Sequence, residues 1–337
     1  MKVAIIGLGP HGKRLAQATR EAGLELAAVV DAREEALAPF AEQPGAGRYG
    51  STTALYAALI PDLVCIATNG PSHTDLAIEA MNRGVRRVLV EKPMACSLAE
   101  CDRMMAIADE KGVRLAVDQS RRWDPMYRWL RDQIRSGRWG QPRAAWIQRP
   151  GIGLGCLATH SFDLVQFLFD KEPRAITAWV DEPVASNPRG ERFVDPGGFV
   201  VMDFGPGLRA TVAQIEDGAG PMSVELDLTG ARVRIDEKSG ELEVIARDLS
   251  IKPGPDRPPV FERLEVPSGL ATRPSMPVML TGVLKELASG GDMDCDARHG
   301  RSAVETLVAA HLSHQRGHVP QALPLVAEDR EQWLPVT

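Results

Sequence analysis

The apolar positions of the first 120 residues fall into short unbroken runs separated by stretches of helical period. Residues 2–6 (KVAII) form a β-branched run that ends in glycine, as a strand buried on both faces does. Similar runs recur at 26–30, 63–67, 85–90 and 114–117, and helix-compatible stretches at 12–23, 32–41, 74–83 and 98–111 lie between them. Strands alternating with helices predict a parallel sheet. Beyond residue 120 the pattern changes. An Arg-rich exposed helix is expected at 125–136 and an apolar one at 156–169. Period-2 runs follow at 176–180, 198–204, 208–214, 222–228, 231–235 and 241–246, with turn signals at 205–207 and 239–240 that favour antiparallel pairing. A Pro-rich loop (249–260) and two helices (277–289, 302–315) complete the chain.

A length of 337 residues suggests two domains, at about 150 residues each. The pattern divides them at 1–120 and 121–337: an α/β domain, then an α+β domain with a large, mostly antiparallel open sheet. Hydrophobic residues at 44% and charged residues at 25% are ordinary for a globular chain and exclude collagen-like or disordered classes. A net charge of −6 argues against nucleic-acid or anionic-membrane partners. Five cysteines with no C-x-x-C pair predict neither a disulfide framework nor a zinc site, and no metal is expected. The N-terminal run meets Gly, His, Lys and Arg without a cleavage-site pattern, and no apolar run reaches a membrane-spanning length, so the expected location is cytoplasmic.

The first strand runs straight into Gly7-Leu8-Gly9-Pro10-His11-Gly12, a G-x-G-x-x-G that opens a helix, and the next strand ends at Asp31. A glycine triplet alone is a weak signal. The strand before it, the helix after it and the acidic residue closing the second strand make it a dinucleotide-binding turn of a Rossmann domain. Gly7 permits the tight turn, Gly9 the close approach of a pyrophosphate, and Gly12 the helix–strand contact, while free helix N–H groups receive the phosphates. Asp31 suits the ribose hydroxyls of NAD; Arg33 could instead pair with a 2′-phosphate, which leaves NADP open. For proton transfer His160 is the acid/base candidate, since imidazole has a suitable pKa. On a helix, Cys156, His160, Asp163 and Phe167 would share one face, and the alternative is a His–Asp pair satisfied inside the core.

Glu91-Lys92-Pro93 at the end of a Rossmann strand resembles the Gfo/Idh/MocA oxidoreductases, and so do Arg121-Arg122-Trp123-Asp124-Pro125 and His160-Ser161-Phe162-Asp163. The closing stretch with Gly300, Ala303, Glu305 and Leu323-Pro324-Leu325 extends that resemblance over nearly the whole chain. The resemblance implies an NAD- or NADP-dependent oxidoreductase that moves a hydride between nicotinamide and a hydroxyl or ketone. Its substrate would be a sugar, polyol or nucleotide-linked sugar. It also implies a second-domain sheet that forms a homodimer or homotetramer interface. Lys92 would lie beside the nicotinamide and polarise the substrate oxygen, with His160 moving the proton and Asp163 orienting the substrate or His160. The cofactor would be bordered by Pro10, His11, Thr68, Asn69, Pro71 and Glu91, and the substrate by Arg122 and Cys156. A cis bond at Lys92–Pro93 is a further expectation.

The chain departs from that family at several places, among them the short, Gly-rich stretch between Arg149 and His160. Cys156 stands where many members carry Asp, and a neutral thiol cannot orient His160 as a carboxylate would. Asp118-Gln119-Ser120 replaces the common Gly-x-Asn, which makes Asp118 a candidate for the missing carboxylate. His73 falls two residues after Pro71 rather than four and receives no role, and Arg189 is weighed as a ligand for an anionic substrate. Two other readings stay open: a dinucleotide-binding sensor or partner subunit without turnover, and an NADPH-dependent keto or imine reductase of a non-sugar substrate.

Overall fold

The five apolar runs become five strands of a six-stranded parallel sheet, and its sixth strand, the three residues Gly47–Tyr49, lies in no apolar run and was not expected. Its strands are β1 (Lys2–Ile6), β2 (Glu25–Val30), β3 (Gly47–Tyr49), β4 (Leu63–Ile66), β5 (Arg87–Val90) and β6 (Arg114–Val117), in the order β3-β2-β1-β4-β5-β6. All six belong to a computed structural model that describes residues 1–336 except 42–44, 152, 184–186, 188, 253, 255–257 and 271–273. Every residue of β4 is buried, and β1 and β2 expose only their first residue. The strand order reverses direction between β1 and β4. In open parallel sheets that switch point is where ligands bind, at the carboxyl ends of the strands.

The helices of this half are α1 (Pro10–Glu21), α2 (Glu34–Leu37), α3 (Thr52–Ala58), α4 (His73–Asn82) and α5 (Leu98–Lys111). α5 has the bounds its sequence signals give. Ser97 and Glu100 form a reciprocal capping box at its start, and Gly112 closes it at φ 62°. The helix expected over 32–41 is shorter: α2 gives way to a 3-10 turn at Ala38–Phe40, where Pro39 has no N–H to continue the ladder.

The second half contains α6 (Pro125–Arg135), β7 (Pro142–Pro150), α7 (Thr159–Phe169), β8 (Ala175–Val180), β9 (Gly198–Asp203), β10 (Arg209–Ile215), β11 (Ser223–Leu228), β12 (Ala231–Asp236), β13 (Glu241–Ala246) and β14 (Glu262–Arg263). Then come α8 (Met276–Ser289), α9 (Ala297–Gln315) and β15 (Gln321–Ala322). β7 to β15 form one sheet, in the order β14-β13-β12-β11-β7-β10-β9-β8-β15. Its pairings are antiparallel except β7 with β10, which run parallel. Strand β7 was not expected. Its inward residues Ala145 and Ile147 are bracketed by prolines and alternate with Ala144, Trp146 and Gln148, two of them apolar, so its alternation is faint. α6 is amphipathic rather than wholly exposed, burying Met126, Tyr127, Leu130 and Ile134 at helical spacing. The Pro-rich stretch 249–260 falls partly outside the described residues.

Internal contacts group the chain into two units, one of Met1–Trp123, Ser275–Val304 and Arg330–Thr337, the other of Asp124–Pro274 and Glu305–Asp329. A boundary drawn along the sequence cannot express that return of the chain. In the first unit Leu280, Val283, Leu284 and Leu287 of α8 join Leu15 and Ala18 of α1 in a common apolar core. In the second, Trp146, Trp179 and Phe199 stand on the sheet with more than two-fifths of their surface exposed. Among the described residues no helix is long and apolar enough to cross a membrane.

Candidate active site

The glycine turn is built as its spacing requires. Gly7 has φ +92°, and a Cβ there would lie 2.7 Å from the Ala67 carbonyl oxygen. At Gly12 a Cβ would overlap the Gly7 carbonyl oxygen, so α1 can approach β1 only with glycine at this position. Gly9, the N-cap of α1, differs: a Cβ there meets nothing within 4 Å. α1 has Pro10 in its first turn and no side-chain cap, which leaves its leading N–H groups and their dipole facing open space.

Asp31 closes the turn from the end of β2. Its Oδ2 accepts the Leu8 N–H at 2.8 Å, and its carboxylate also takes the Arg33 N–H, Nε and Nη2, each at 3.0 Å. Burial alone would raise the Asp31 pKa. The hydrogen bonds from Arg33 and Leu8 outweigh it and hold the group below its ordinary value, so Asp31 is ionised. The Arg33 guanidinium that the sequence offered to a 2′-phosphate is thus engaged by Asp31. An open cradle at Gly9, uncapped N–H groups and a fixed carboxylate at the end of β2 fit a dinucleotide.

At the carboxyl ends of β5 and β6, Glu91, Lys92 and Asp118 meet His11 of the glycine turn. His11 Nε2 lies 2.8 Å from Asp118 Oδ2, and Lys92 Nζ lies 3.6 Å from Glu91 Oε1. One ligand atom from each of His11, Glu91 and Asp118 falls within 4.8 Å of the other two. Burial would lower the His11 pKa, but Glu91 and the bond to Asp118 raise it to about 9, so the imidazole is protonated at neutral pH. Burial would raise the Glu91 pKa, whereas Lys92 and His11 hold it below its ordinary value. The Lys92–Pro93 bond is cis. Asp118 is committed to His11, and the carboxylate proposed from sequence to serve His160 has a different partner.

The neighbouring loop brings in a residue the sequence left without a role. His73 is fully buried, with Nδ1 2.9 Å from the Pro93 carbonyl oxygen and Nε2 3.2 Å from that of Thr68. Burial keeps its pKa below the ordinary value. The ring thereby ties the Lys92–Pro93 segment to the loop of Thr68, Asn69 and Pro71. Thr68 Oγ1 accepts the Ser72 hydroxyl at 2.7 Å, while Asn69 and Pro71 are exposed. The missed signal was a lone histidine at the start of a helix. Arg122 is buried, and its Nη1 donates to the Asp294 carbonyl at 2.7 Å.

The second unit carries the other candidates. A single π-helical turn, Leu154–Ala158, precedes α7. Spacing counted on a 3.6-residue helix therefore does not carry from Cys156 to His160, and the shared face holds only from His160 onward. His160 is half-buried, and Asp163 and Phe167 are buried. Asp195, which the sequence places only in a loop bordering the substrate side, accepts the Gly155 and Cys156 N–H groups, each at 2.7 Å, and is itself buried. Arg189 Nη1 donates to Cys156 Sγ at 2.9 Å. Asp195 follows a Phe-Val pair in a loop, with no local pattern that marks a helix-capping carboxylate.

Residues 1–119 match the family described as oxidoreductase family, NAD-binding Rossmann fold (Gfo/Idh/MocA). Among curated proteins, inositol 2-dehydrogenase of Rhizobium meliloti (strain 1021) is 30% identical over 196 residues, 53% of this chain and 58% of that protein. D-apiose dehydrogenase of Paraburkholderia graminis is 31% identical over 204 residues, 55% of this chain and 54% of that one. The chain thus spans little more than half the length of these relatives. Similar solved structures share the fold over the whole chain. The WlbA dehydrogenase from Bordetella pertussis, in complex with NADH and UDP-GlcNAcA, superposes with TM-score 0.78 at 20% identity, covering 97% of this chain and 99% of that one. An oxidoreductase from Agrobacterium radiobacter, in complex with NAD+, L-tartaric acid and magnesium, gives 0.78 at 20% identity over 96% and 98%.

Proposed function

Because residues 1–119 match the model of the NAD-binding Rossmann domain of the Gfo/Idh/MocA oxidoreductases, we propose that the protein transfers a hydride between a nicotinamide dinucleotide and a sugar-type hydroxyl or ketone. The observation that carries this reading is the glycine turn: it is open at Gly9, closed at Gly7 and Gly12, and joined to an ionised Asp31. The cofactor supplies the hydride acceptor or donor when bound. Of this chain's residues, Gly9 and the first turn of α1 would hold the diphosphate and Asp31 the adenosine ribose. NAD is favoured over NADP, since an ionised carboxylate repels a 2′-phosphate and Arg33 is bound to it.

For the chemistry, Lys92 is proposed to hold the substrate oxygen, with Glu91 as its counter-charge and His73 and Pro93 fixing the loop. His160 is proposed to carry the hydroxyl proton and Asp163 to orient it. Arg122 and Cys156 are assigned to the substrate side, and Arg189 beside Cys156 favours a substrate with an anionic group. The relatives' names, inositol 2-dehydrogenase and D-apiose dehydrogenase, favour polyols and sugars as substrates. The exposed Trp146, Trp179 and Phe199 favour self-association through the open sheet face. The deciding experiment is a fluorescence titration with NADH and with NADPH, followed by a screen of polyols, sugars and sugar acids for NAD reduction. Tight NADH binding with turnover of one of them supports the reading, and Lys92→Ala and His160→Ala should then lower turnover while leaving NADH affinity near wild type. Binding of neither dinucleotide would overturn it.

A further inference from the structure

His11 places a titratable ring inside the glycine turn. It is the second residue of α1, where the helix dipole disfavours a cation. Two carboxylates from elsewhere in the sheet offset that cost. Asp118, 1% exposed, accepts from its ring at 2.8 Å, and Glu91 stands close enough that the three ligand atoms lie within 4.8 Å of one another. Lys92 faces the same group through Glu91 at 3.6 Å. On His11's own helix the nearby charged residues are Lys13 and Arg14, both exposed, and buried His73 faces Glu91 from α4. The His11 side chain keeps 21% of its surface exposed, next to the open space at Gly9.

The charges of this cluster balance only when His11 holds a proton. Two carboxylates, Glu91 and Asp118, then face two cations, Lys92 and His11. Removing the imidazole proton leaves one negative charge without a counterpart, beside the site where a dinucleotide would bring two more on its phosphates. We propose that protonated His11 is a charged member of the dinucleotide site, positioned by Asp118 and Glu91, so that binding of the diphosphate is linked to one proton on this imidazole. The inference rests on the dinucleotide reading above and adds a residue pair, His11 and Asp118, to the site that reading describes. Asp118 acts through His11 and is a positioning residue.

The linkage has a fixed sign. A bound diphosphate favours the imidazolium, so binding raises the His11 pKa further. Affinity is then flat below the free-protein value of about 9 and falls as pH rises through it. Each unit by which the ligand raises the pKa corresponds to a roughly tenfold loss of affinity across that window.

The test is calorimetric titration of the full chain with NADH and with ADP-ribose between pH 7 and 10.5, in buffers of different ionisation enthalpy, so that protons taken up on binding are counted. Histidine ring resonances of the free protein give the His11 titration directly. Wild type should lose affinity above pH 9 and take up a fraction of a proton there. His11→Asn should bind more weakly than wild type at pH 7 and show no fall over that window; His11→Gln repeats the test if the Asn variant misfolds. Asp118→Asn should move both the His11 titration and the affinity fall to lower pH, which a purely structural role would not do. Unchanged wild-type affinity through pH 10 without proton uptake would overturn the inference while leaving the dinucleotide reading intact. So would a His11→Asn profile that matches wild type. Absence of NADH binding at every pH would instead remove the dinucleotide reading, and this inference with it.

Discussion

Substituting Gly9 and Gly12 separately divides the glycine turn into a ligand half and a folding half. In Gly12→Ala the new methyl would overlap the Gly7 carbonyl oxygen and stand 3.6 Å from Ile5 Cγ2, so the start of α1 must move away from β1. Overpacking of this kind costs about 1–3 kcal/mol, and the displaced N–H groups no longer converge on a phosphate. In Gly9→Ala the methyl meets no protein atom within 4 Å, and the backbone at φ −62° accepts alanine. Loss of glycine at an uncapped N-cap costs below about 1 kcal/mol. The same methyl projects into the space assigned to the diphosphate, where a clash of about 1–3 kcal/mol weakens binding roughly 5- to 150-fold. The assay pairs urea unfolding followed by far-UV circular dichroism with NADH titration on each variant. The expected pattern is a Gly9→Ala protein of near wild-type stability that binds NADH poorly, and a Gly12→Ala protein impaired in both. If Gly9→Ala binds NADH as wild type does, the open space at Gly9 is not the dinucleotide's, and the assignment of the turn fails.

Other expectations follow from single contacts. Asp31→Asn removes the charge that opposes a 2′-phosphate and frees Arg33, so NADH affinity should fall and the NADPH-to-NADH affinity ratio should rise; an unchanged ratio in paired titrations would remove Asp31 from cofactor selection. Burial holds the His311 pKa down at about 4, so the unfolded chain takes up this proton near pH 6.5 and the folded chain does not. Stability should therefore drop as pH falls from 6.5 towards 4, by up to about 3 kcal/mol, and His311→Gln should flatten that slope in urea midpoints at pH 4.5, 5.5 and 7.5. Tyr127 is fully buried and its hydroxyl donates to Glu237 at 2.5 Å; Tyr127→Phe should destabilise the second unit by about 1–3 kcal/mol in the same unfolding assay. Phe199→Glu puts a charge on the exposed sheet face and should lower the molecular mass in light scattering if that face joins copies of the chain.

Local signals determined a large part of this molecule. The β-branched runs became the parallel strands because each had to be buried on both faces, which only apolar side chains permit. Ser97, Glu100 and Gly112 bounded α5 through hydrogen bonds and backbone freedom that act within a few residues. The glycine turn was equally legible, since Gly7 and Gly12 answer steric demands made by neighbours close along the chain or on an adjacent strand. What stayed hidden depended on partners far apart in sequence. The alternation of β7 was too faint to mark it as a central strand, and the parallel pairing with β10 joins residues 65 positions apart, as Arg209 with Ala144. A π-turn before α7 broke the helical count on which Cys156 and His160 had been aligned. Asp118 had been offered to His160, yet it bonds His11 from 107 positions away in sequence. Spacing encodes which residues share a strand or a helix face. Which carboxylate neutralises which cation is set by the packing of strand ends, where burial makes every unpaired charge costly and leaves few arrangements that balance.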